Sequence, residues 1–237
     1  MSNQGQKVAV VTGASQGIGA GIVAGYRKLG YAVVATSRNI PESHDPEIAT
    51  VRGNIAVRDT AERVIATAME RFGRVDTLVN NAGIFVARPF HEYTEEEYDA
   101  VLGVNVDGFF RITQLAVERM LEQGGGHIVQ ITSALADAAN SNVPSVLASL
   151  TKGGLQSATK SLAIEYATRG VRSNAVSLGT IKTPMHAVEH HEALAALHPV
   201  GRMGEVDDIV DAVVYLENAP FVTGNILYVD GGQNAGH

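Results

Sequence analysis

The chain has 237 residues, enough for one α/β domain to bury a sizeable hydrophobic core. It contains no cysteine, which excludes disulfides, thiolate nucleophiles and cysteine-type zinc sites. Its net charge of −7 gives no electrostatic reason to expect a nucleic-acid or acidic-membrane partner.

Short β-branched runs alternate with longer stretches of helical period along the chain. The predicted strands are Lys7–Val11, Ala32–Thr36, Thr50–Gly53, Thr77–Val79, His127–Thr132, Val171–Val176 and Ile226–Val229. The predicted helices are Gly17–Leu29, Asp59–Phe72, Glu95–Gln123, Ala148–Thr168 and Val206–Leu216. This alternation predicts a single α/β domain over residues 1–237, with a doubly wound parallel sheet of the Rossmann type and helices on both faces.

The first predicted strand runs through VTGASQGIG, a glycine-spaced turn, directly into the first helix. Glycine permits the tight turn, and a helix amino terminus offers unpaired N–H groups and a partial positive charge to a pyrophosphate. The alternative is that the glycines serve only the turn. The strand–turn–helix context favours a dinucleotide site, and its predicted contacts are Gly13, Ser15, Gln16, Gly17, Ile18 and Gly19.

The second predicted strand ends in VVATSRN, where an NAD-binding protein would place an acidic residue to accept from the ribose hydroxyls. Ser37 occupies that place, and Arg38 follows it. A carboxylate would repel a 2′-phosphate, whereas a serine beside an arginine binds it through charge-assisted hydrogen bonds. We therefore predict that NADP(H) is preferred over NAD(H). The alternative is a solvated loop arginine, which would leave the preference undecided.

Residues 184–203 form the least regular part of the chain and follow a predicted strand. Sites in open α/β sheets lie at the carboxyl ends of the strands, which favours a substrate lid over a variable surface excursion. His186 and His190 stand at i and i+4, a spacing that can present two imidazoles to a metal. With no acidic third ligand at the usual spacing, we predict no metal site and a solvated or substrate-facing lid.

The pattern TGxxxGIG at Thr12–Gly19 resembles that of the short-chain dehydrogenase/reductase family. Further motifs that resemble this family follow in order and cover nearly the whole chain: NNAG at 80–83, Asn105 in VNVDG, Ser133 after HIVQIT, Lys152 before two glycines, NAVSLGTIKTP at 174–184 and TGNILYVDGG at 223–232. The resemblance implies hydride exchange between a nicotinamide cofactor and a small-molecule carbonyl or alcohol.

The resemblance also implies roles for individual residues. Ser133 would donate to the substrate oxygen, Lys152 would bind the nicotinamide ribose, and Asn105 would hold a water in a proton relay. Asn54 and Ile55 would lie near the adenine, although an aspartate is more usual at position 54. The other cofactor contacts implied by the resemblance are Asn81, Ala82, Gly83, Gly179, Ile181 and Thr183.

The family's catalytic tyrosine has no counterpart in this chain. It would stand four residues before Lys152 on the same helical face, and that position is Ala148. A positioned general acid contributes about two to four orders of magnitude, so its loss would weaken carbonyl reduction without abolishing cofactor binding. A ring-sized space would be left, and water held by Ser133 and Lys152 is one candidate proton carrier. The other candidates are Ser145, Ser149 or a substrate that supplies its own acid.

Two alternatives to an NADP(H)-dependent oxidoreductase stay open: a non-catalytic dinucleotide-binding sensor or partner protein, and a lyase or isomerase on the same fold. By the family resemblance we expect a homo-oligomer, a tetramer or a dimer, with helices Glu95–Gln123 and Ala148–Thr168 at one interface. The apolar runs are much shorter than a membrane span and the first residues lack a signal-peptide core, so we expect a cytoplasmic protein.

Overall fold

The computed structural model of the chain describes residues 5–236. Its strands are β1 Val8–Thr12, β2 Ala32–Ser37, β3 Ile48–Arg52, β4 Thr77–Asn80, β5 Gly126–Ser133, β6 Val171–Leu178 and β7 Ile226–Val229. Its α-helices are α1 Gly17–Lys28, α2 Arg58–Phe72, α3 Glu95–Leu102, α4 Phe109–Glu122, α5 Val146–Tyr166, α6 His191–Ala195 and α7 Val206–Asn218. All seven predicted strands are present within a few residues of their predicted ends.

The seven strands form one parallel sheet in the order β3-β2-β1-β4-β5-β6-β7. Buried residues of α1 and α7 pack on one face, and those of α2 and α4 pack on the other, with Leu162 and Tyr166 of α5 at its margin. The predicted single-domain, doubly wound α/β fold is confirmed. Strand order reverses between β1 and β4, and ligands of such sheets bind at the carboxyl ends of the strands beside that point.

The predicted helix Glu95–Gln123 is interrupted, because a π-helical segment at Gly103–Gly108 separates α3 from α4. This wider turn carries Asn105, whose side chain bonds to the backbone of Ile84 and to the hydroxyl of Thr151. Such bulges are frequent at functional positions. The hydropathy pattern over Glu95–Gln123 is continuous, so it does not predict the π-helical segment.

Several other element ends differ by one or two residues from the sequence-based expectation, among them the starts of β3 and α5. Strand β3 begins at Ile48 because that residue pairs with Val33 of β2. Helix α5 begins at Val146, just after Pro144, which disfavours helical backbone at the residue before it. The short helix α6 lies inside the 184–203 segment, which was expected to be irregular.

The helical stretch Glu95–Glu122 has the length and mean hydropathy, 1.2, that a membrane-spanning helix would also show. In this fold several of its apolar side chains belong to the hydrophobic core. Ile112, Ala116 and Met120 are fully buried against the sheet and α2, as in the core helix of a globular protein.

Candidate cofactor and catalytic site

The turn between β1 and α1 has a backbone that requires glycine. Gly13 and Gly17 have φ angles of 66° and 54°, in the left-handed region. A Cβ at Gly19 would lie 2.2 Å from the carbonyl oxygen of Gly13, which leaves no space for a side chain. The N-cap Gln16 makes no side-chain cap and the first turn contains no acidic residue, so the terminal N–H groups of α1 remain available to an anion.

The carboxyl end of β4 holds this turn in place. The Thr12 hydroxyl accepts from the backbone N–H groups of Asn81 and Ala82, both at 3.0 Å. The Asn81 amide in turn donates to the carbonyls of Thr12 and Gly13, at 2.9 and 3.1 Å. The Asn81 amide N–H groups therefore position the turn between β1 and α1. Because its backbone N–H also bonds to Thr12, the predicted contact of Asn81 with the cofactor would have to come from one of its carbonyl oxygens.

The far end of the site lies where β2 and β3 end. Ser37 is partly exposed, its hydroxyl accepts from the Asn39 N–H at 3.3 Å, and Arg38 is exposed. Arg52 is the register partner of Ser37, so both side chains project from the same face of the sheet. Its guanidinium lies 3.5 Å from the Ile40 carbonyl, beside the loop that carries Arg38. Arg52 has no signal in the sequence, because only the β2–β3 register brings it next to Ser37.

The predicted adenine contacts sit just after β3. Asn54 is exposed, and its side-chain oxygen accepts from the Ala56 N–H at 3.1 Å. Ile55 is 7% exposed and packs closely on Gly108. A Cβ added to Gly108 would lie 2.9 Å from the Cγ2 atom of Ile55. Asn54 therefore lies at the β2–β3 end with Ser37, and Ile55 connects that end to the π-helical turn that carries Asn105.

Lys152, Asn105 and Gly83 converge near the end of β5. The Lys152 ammonium donates to the Ile131 carbonyl at 2.9 Å, and burial lowers the pKa of this lysine to about 8. A Cβ at Gly83 would lie 2.9 Å from Lys152 Nζ and 3.5 Å from Asn105 Oδ1. Asn105 donates to the Thr151 hydroxyl at 3.1 Å. Thr151, one residue before the lysine, is a positioning group that the motif did not reveal.

Ser133 ends β5 at the start of a 3₁₀ turn, Ala134–Ala136. Its hydroxyl is partly exposed and accepts from the Leu135 N–H at 3.3 Å. Ser149 of α5 donates to the Leu135 carbonyl at 2.8 Å and thereby ties the first turn of α5 to this 3₁₀ turn.

We expected a ring-sized open space beside Ala148, and this expectation is wrong. Ala148 is only 3% exposed because the 3₁₀ turn after Ser133 packs against the first turn of α5. Ser145, another candidate proton carrier, is 7% exposed. Solvent therefore reaches this part of the site at Ser133 and Lys152, which are partly exposed, rather than at the alanine methyl group.

The loop after β6 closes the site from the other side. A Cβ at Gly17 would lie 3.2 Å from the Thr183 side chain, so this loop touches the turn between β1 and α1. Ile181 is buried, and the N–H of Gly179 donates to the Val229 carbonyl at 3.2 Å. The three predicted contacts after β6 therefore share one loop that faces the start of α1.

The histidines of the 184–203 segment bond to backbone groups. His186 Nδ1 lies 2.9 Å from the Ile181 carbonyl, and His191 Nε2 lies 3.1 Å from the His186 carbonyl. His190 is exposed. Across residues 5–236 there is no cluster of three or more His, Cys, Asp or Glu side chains suited to a metal ion.

Known proteins match almost the entire chain. The family model described as enoyl-(acyl carrier protein) reductase matches residues 13–234. The 3-oxoacyl-[acyl-carrier-protein] reductase FabG of Thermotoga maritima is 32% identical over 244 residues, 95% of this chain and 97% of that one.

Solved structures agree with this similarity. ElxO with NADP bound has a TM-score of 0.91 and 27% identity, covering 98% of this chain and 100% of that one. A 3-ketoacyl-(acyl-carrier-protein) reductase from Brucella melitensis complexed with NADH has a TM-score of 0.89 and 30% identity, covering 96% and 98%. The chain therefore belongs to the short-chain dehydrogenase/reductase family of oxidoreductases.

Proposed function

We propose that the protein is an NADP(H)-dependent oxidoreductase that exchanges hydride with a small carbonyl or alcohol. The observation that carries the proposal is the convergence of the Lys152 ammonium, the Asn105 amide and Gly83 beside the uncapped start of α1. Similar proteins whose structures contain NADP or NADH support the choice of a nicotinamide nucleotide.

The chemistry of each side chain suggests its role in the proposed reaction. A bound nicotinamide would give or take the hydride. Lys152 would hold the nicotinamide ribose, and Ser133 would donate a hydrogen bond to the substrate oxygen as its charge develops. Both amide N–H groups of Asn105 donate to Ile84 and Thr151, so it would hold a water through the second lone pair of its Oδ1 atom.

Ala148 cannot supply the proton that accompanies hydride transfer. Of the candidate carriers, Ser149 already donates its hydroxyl proton to the Leu135 carbonyl. Ser133 and Lys152 remain partly exposed. This favours a water held between Ser133 and Lys152, with the lysine, whose burial lowers its pKa to about 8, able to exchange a proton near neutral pH.

Replacing Ser133 by alanine is expected to lower kcat/KM about 10²–10³-fold, the loss that follows removal of one donor to a developing oxyanion. NADPH binding should persist. The measurement is absorbance loss of NADPH with a panel of ketones, quinones and aldehydes, beside fluorescence titration of NADPH. Ser141, exposed in the loop before α5, provides the control S141A. Tight NADPH binding without turnover on any substrate would instead favour the sensor or partner protein.

The preference for NADP(H) rests on Ser37, Arg38 and Arg52, because two guanidinium groups near a neutral serine suit a 2′-phosphate. Arg38→Ala should weaken NADPH binding roughly tenfold to a hundredfold, as expected for a hydrogen bond between charged groups, and leave NADH binding unchanged. Fluorescence titration of both nucleotides measures this. The control is Arg58→Ala, which removes an exposed arginine paired with Glu62 at 2.9 Å. An equal loss for NADPH and NADH would refute the assignment.

We also propose that the protein acts in the cytoplasm as a homo-oligomer, a tetramer or a dimer. Phe110 of α4 and Leu150 and Ile164 of α5 are 61%, 59% and 81% exposed, which suits an apolar contact between copies. The 184–203 segment, next to the loop that carries Ile181 and Thr183, would cover the substrate.

A further inference from the structure

His198 differs from the rest of the 184–203 segment in its burial. Between Pro184 and Arg202, all of which the structure describes, it is the only buried side chain, at 4% exposure. The segment is otherwise partly or fully exposed, including α6. One imidazole therefore anchors a long surface segment to the body of the protein.

Both ring nitrogens of His198 are bonded. Nε2 accepts from the backbone N–H of Thr180 at 2.8 Å, and Nδ1 lies 3.0 Å from the Leu194 carbonyl. Because a backbone N–H can only donate and a carbonyl can only accept, the ring must be the neutral Nδ1–H tautomer. The imidazole thus joins α6 to the loop that follows β6.

The surrounding backbone is shaped to this ring. A Cβ at Gly179 would lie 2.6 Å from His198 Nε2, and a Cβ at Gly231 would lie 3.2 Å from His198 Cβ. The ring therefore sits between two glycines, one on each of the loops that follow β6 and β7. Such close packing restricts the position of Thr180, which lies between the predicted cofactor contacts Gly179 and Ile181.

We propose that neutral His198 is a positioning residue: it holds the 179–183 loop and the 184–203 segment together and so sets the KM for nucleotide and substrate. The identity of those ligands rests on the proposed function. The anchoring itself does not, since it concerns contacts within the protein.

Protonation of His198 would break this anchor. The added Nε2–H would face the Thr180 N–H, so two donors would oppose each other where a hydrogen bond now stands. The Thr180 N–H would lose its acceptor, and two donors only 2.8 Å apart would repel each other. Only the neutral ring can therefore hold the loop and the segment together.

A cavity of about 290 Å³ lies beside the imidazole. The titratable and charged groups around it are Arg202, Asp208, Tyr228 and Asp230, with Lys182 on the loop itself. Arg202 pairs with Asp208 at 2.8 Å, the Asp230 carboxylate accepts from two backbone N–H groups, and Lys182 pairs with Glu205. The carboxylates are thus already bonded elsewhere.

The test uses His198→Leu, which removes the acceptor, and His198→Gln, whose side-chain oxygen can accept from the Thr180 N–H. His190→Leu and His190→Gln are matched controls, because His190 is exposed in the same segment. Hydrogen exchange of residues 179–183 is measured in the protein without nucleotide and corrected for intrinsic rates. The KM for NADPH and the kcat are measured on the same variants.

His198→Leu should raise the exchange rate and the KM about tenfold, the contribution of one hydrogen bond, with a smaller change in kcat. His198→Gln, which keeps an acceptor for the Thr180 N–H, should retain most of the protection. The proposal is overturned if His198→Leu behaves as His190→Leu does, or if His198→Gln loses as much protection as His198→Leu. Hydrogen exchange gives this answer even in a protein that turns over no carbonyl, so the two proposals fail separately.

Discussion

Lys152→Met is expected to lower kcat/KM for hydride exchange by at least about a hundredfold, because the only ammonium placed beside Gly83 and Asn105 in the described residues disappears. Methionine has a similar length and leaves no large cavity, so the loss reports on charge rather than packing. NADPH binding should weaken as well, since Lys152 is proposed to hold the ribose. Steady-state kinetics and fluorescence titration measure the two effects. Lys160→Met, exposed two turns later on α5, is the control.

The pH dependence of this lysine has a definite sign. Burial lowers its pKa from 10.5 to about 8, so binding that needs the ammonium is present below about pH 8 and lost as the pH rises through that value. Between about pH 8 and 10.5 the unfolded chain binds more protons than the native one, so the lysine makes stability rise with pH there. Lys152→Met should abolish both pH effects and raise the Tm at neutral pH. A binding profile that keeps its step in Lys152→Met would refute the assignment.

The fold and the glycine turn between β1 and α1 were predictable because their signals are local. A β-branched run followed by Gly13, Gly17 and Gly19 contains the strand, the turn and the helix start within a few residues. Right-handed crossovers then place the helices on both faces of the sheet. Motif counting likewise placed Ala148 four residues before Lys152.

Features that depend on contacts between distant segments were not predictable. Arg52 reaches the Ser37 region only through the β2–β3 register. The closure over Ala148 depends on a bond between Ser149 and Leu135. His198 belongs to an irregular stretch without periodicity, where a histidine gives no indication of its burial. Neither hydropathy nor motif spacing contains these pairings.

Glu217→Ala is expected to lower the free energy of unfolding by about 3–5 kcal/mol, because each buried donor left without an acceptor costs about 1–3 kcal/mol and the surrounding side chains recover part of that loss. The carboxylate, whose side chain is 7% exposed, accepts from His127 Nδ1 at 2.9 Å and from the hydroxyls of Tyr26, Tyr31 and Thr77 at 3.1, 2.9 and 3.0 Å. Alanine would leave four buried donors without an acceptor. Urea unfolding at pH 7 measures the loss.

The ionisation of this cluster also predicts how stability changes in acid. Burial alone would raise the pKa of Glu217, but hydrogen bonds from His127, Tyr31 and Thr77 outweigh it and bring the pKa to about 2. Burial lowers the pKa of His127, which stays neutral and accepts from the Asn174 amide at 3.1 Å. Because the folded pKa of Glu217 lies below its usual 4.5, its contribution is present above about pH 4.5 and lost as the pH falls toward 2.

The position of the cluster separates this effect from catalysis. Thr77 begins β4 and His127 is the second residue of β5, so the cluster lies at the amino ends of the strands, opposite Ser133. Glu217→Gln keeps one acceptor and cannot ionise, so its stability should be lower at pH 7 but flatter in acid than that of the natural protein. Glu62→Ala, which removes an exposed partner of Arg58, should change unfolding by no more than about 0.5 kcal/mol. If the natural protein and Glu217→Gln lost stability in parallel below about pH 4.5, other carboxylates would have to account for the acid sensitivity.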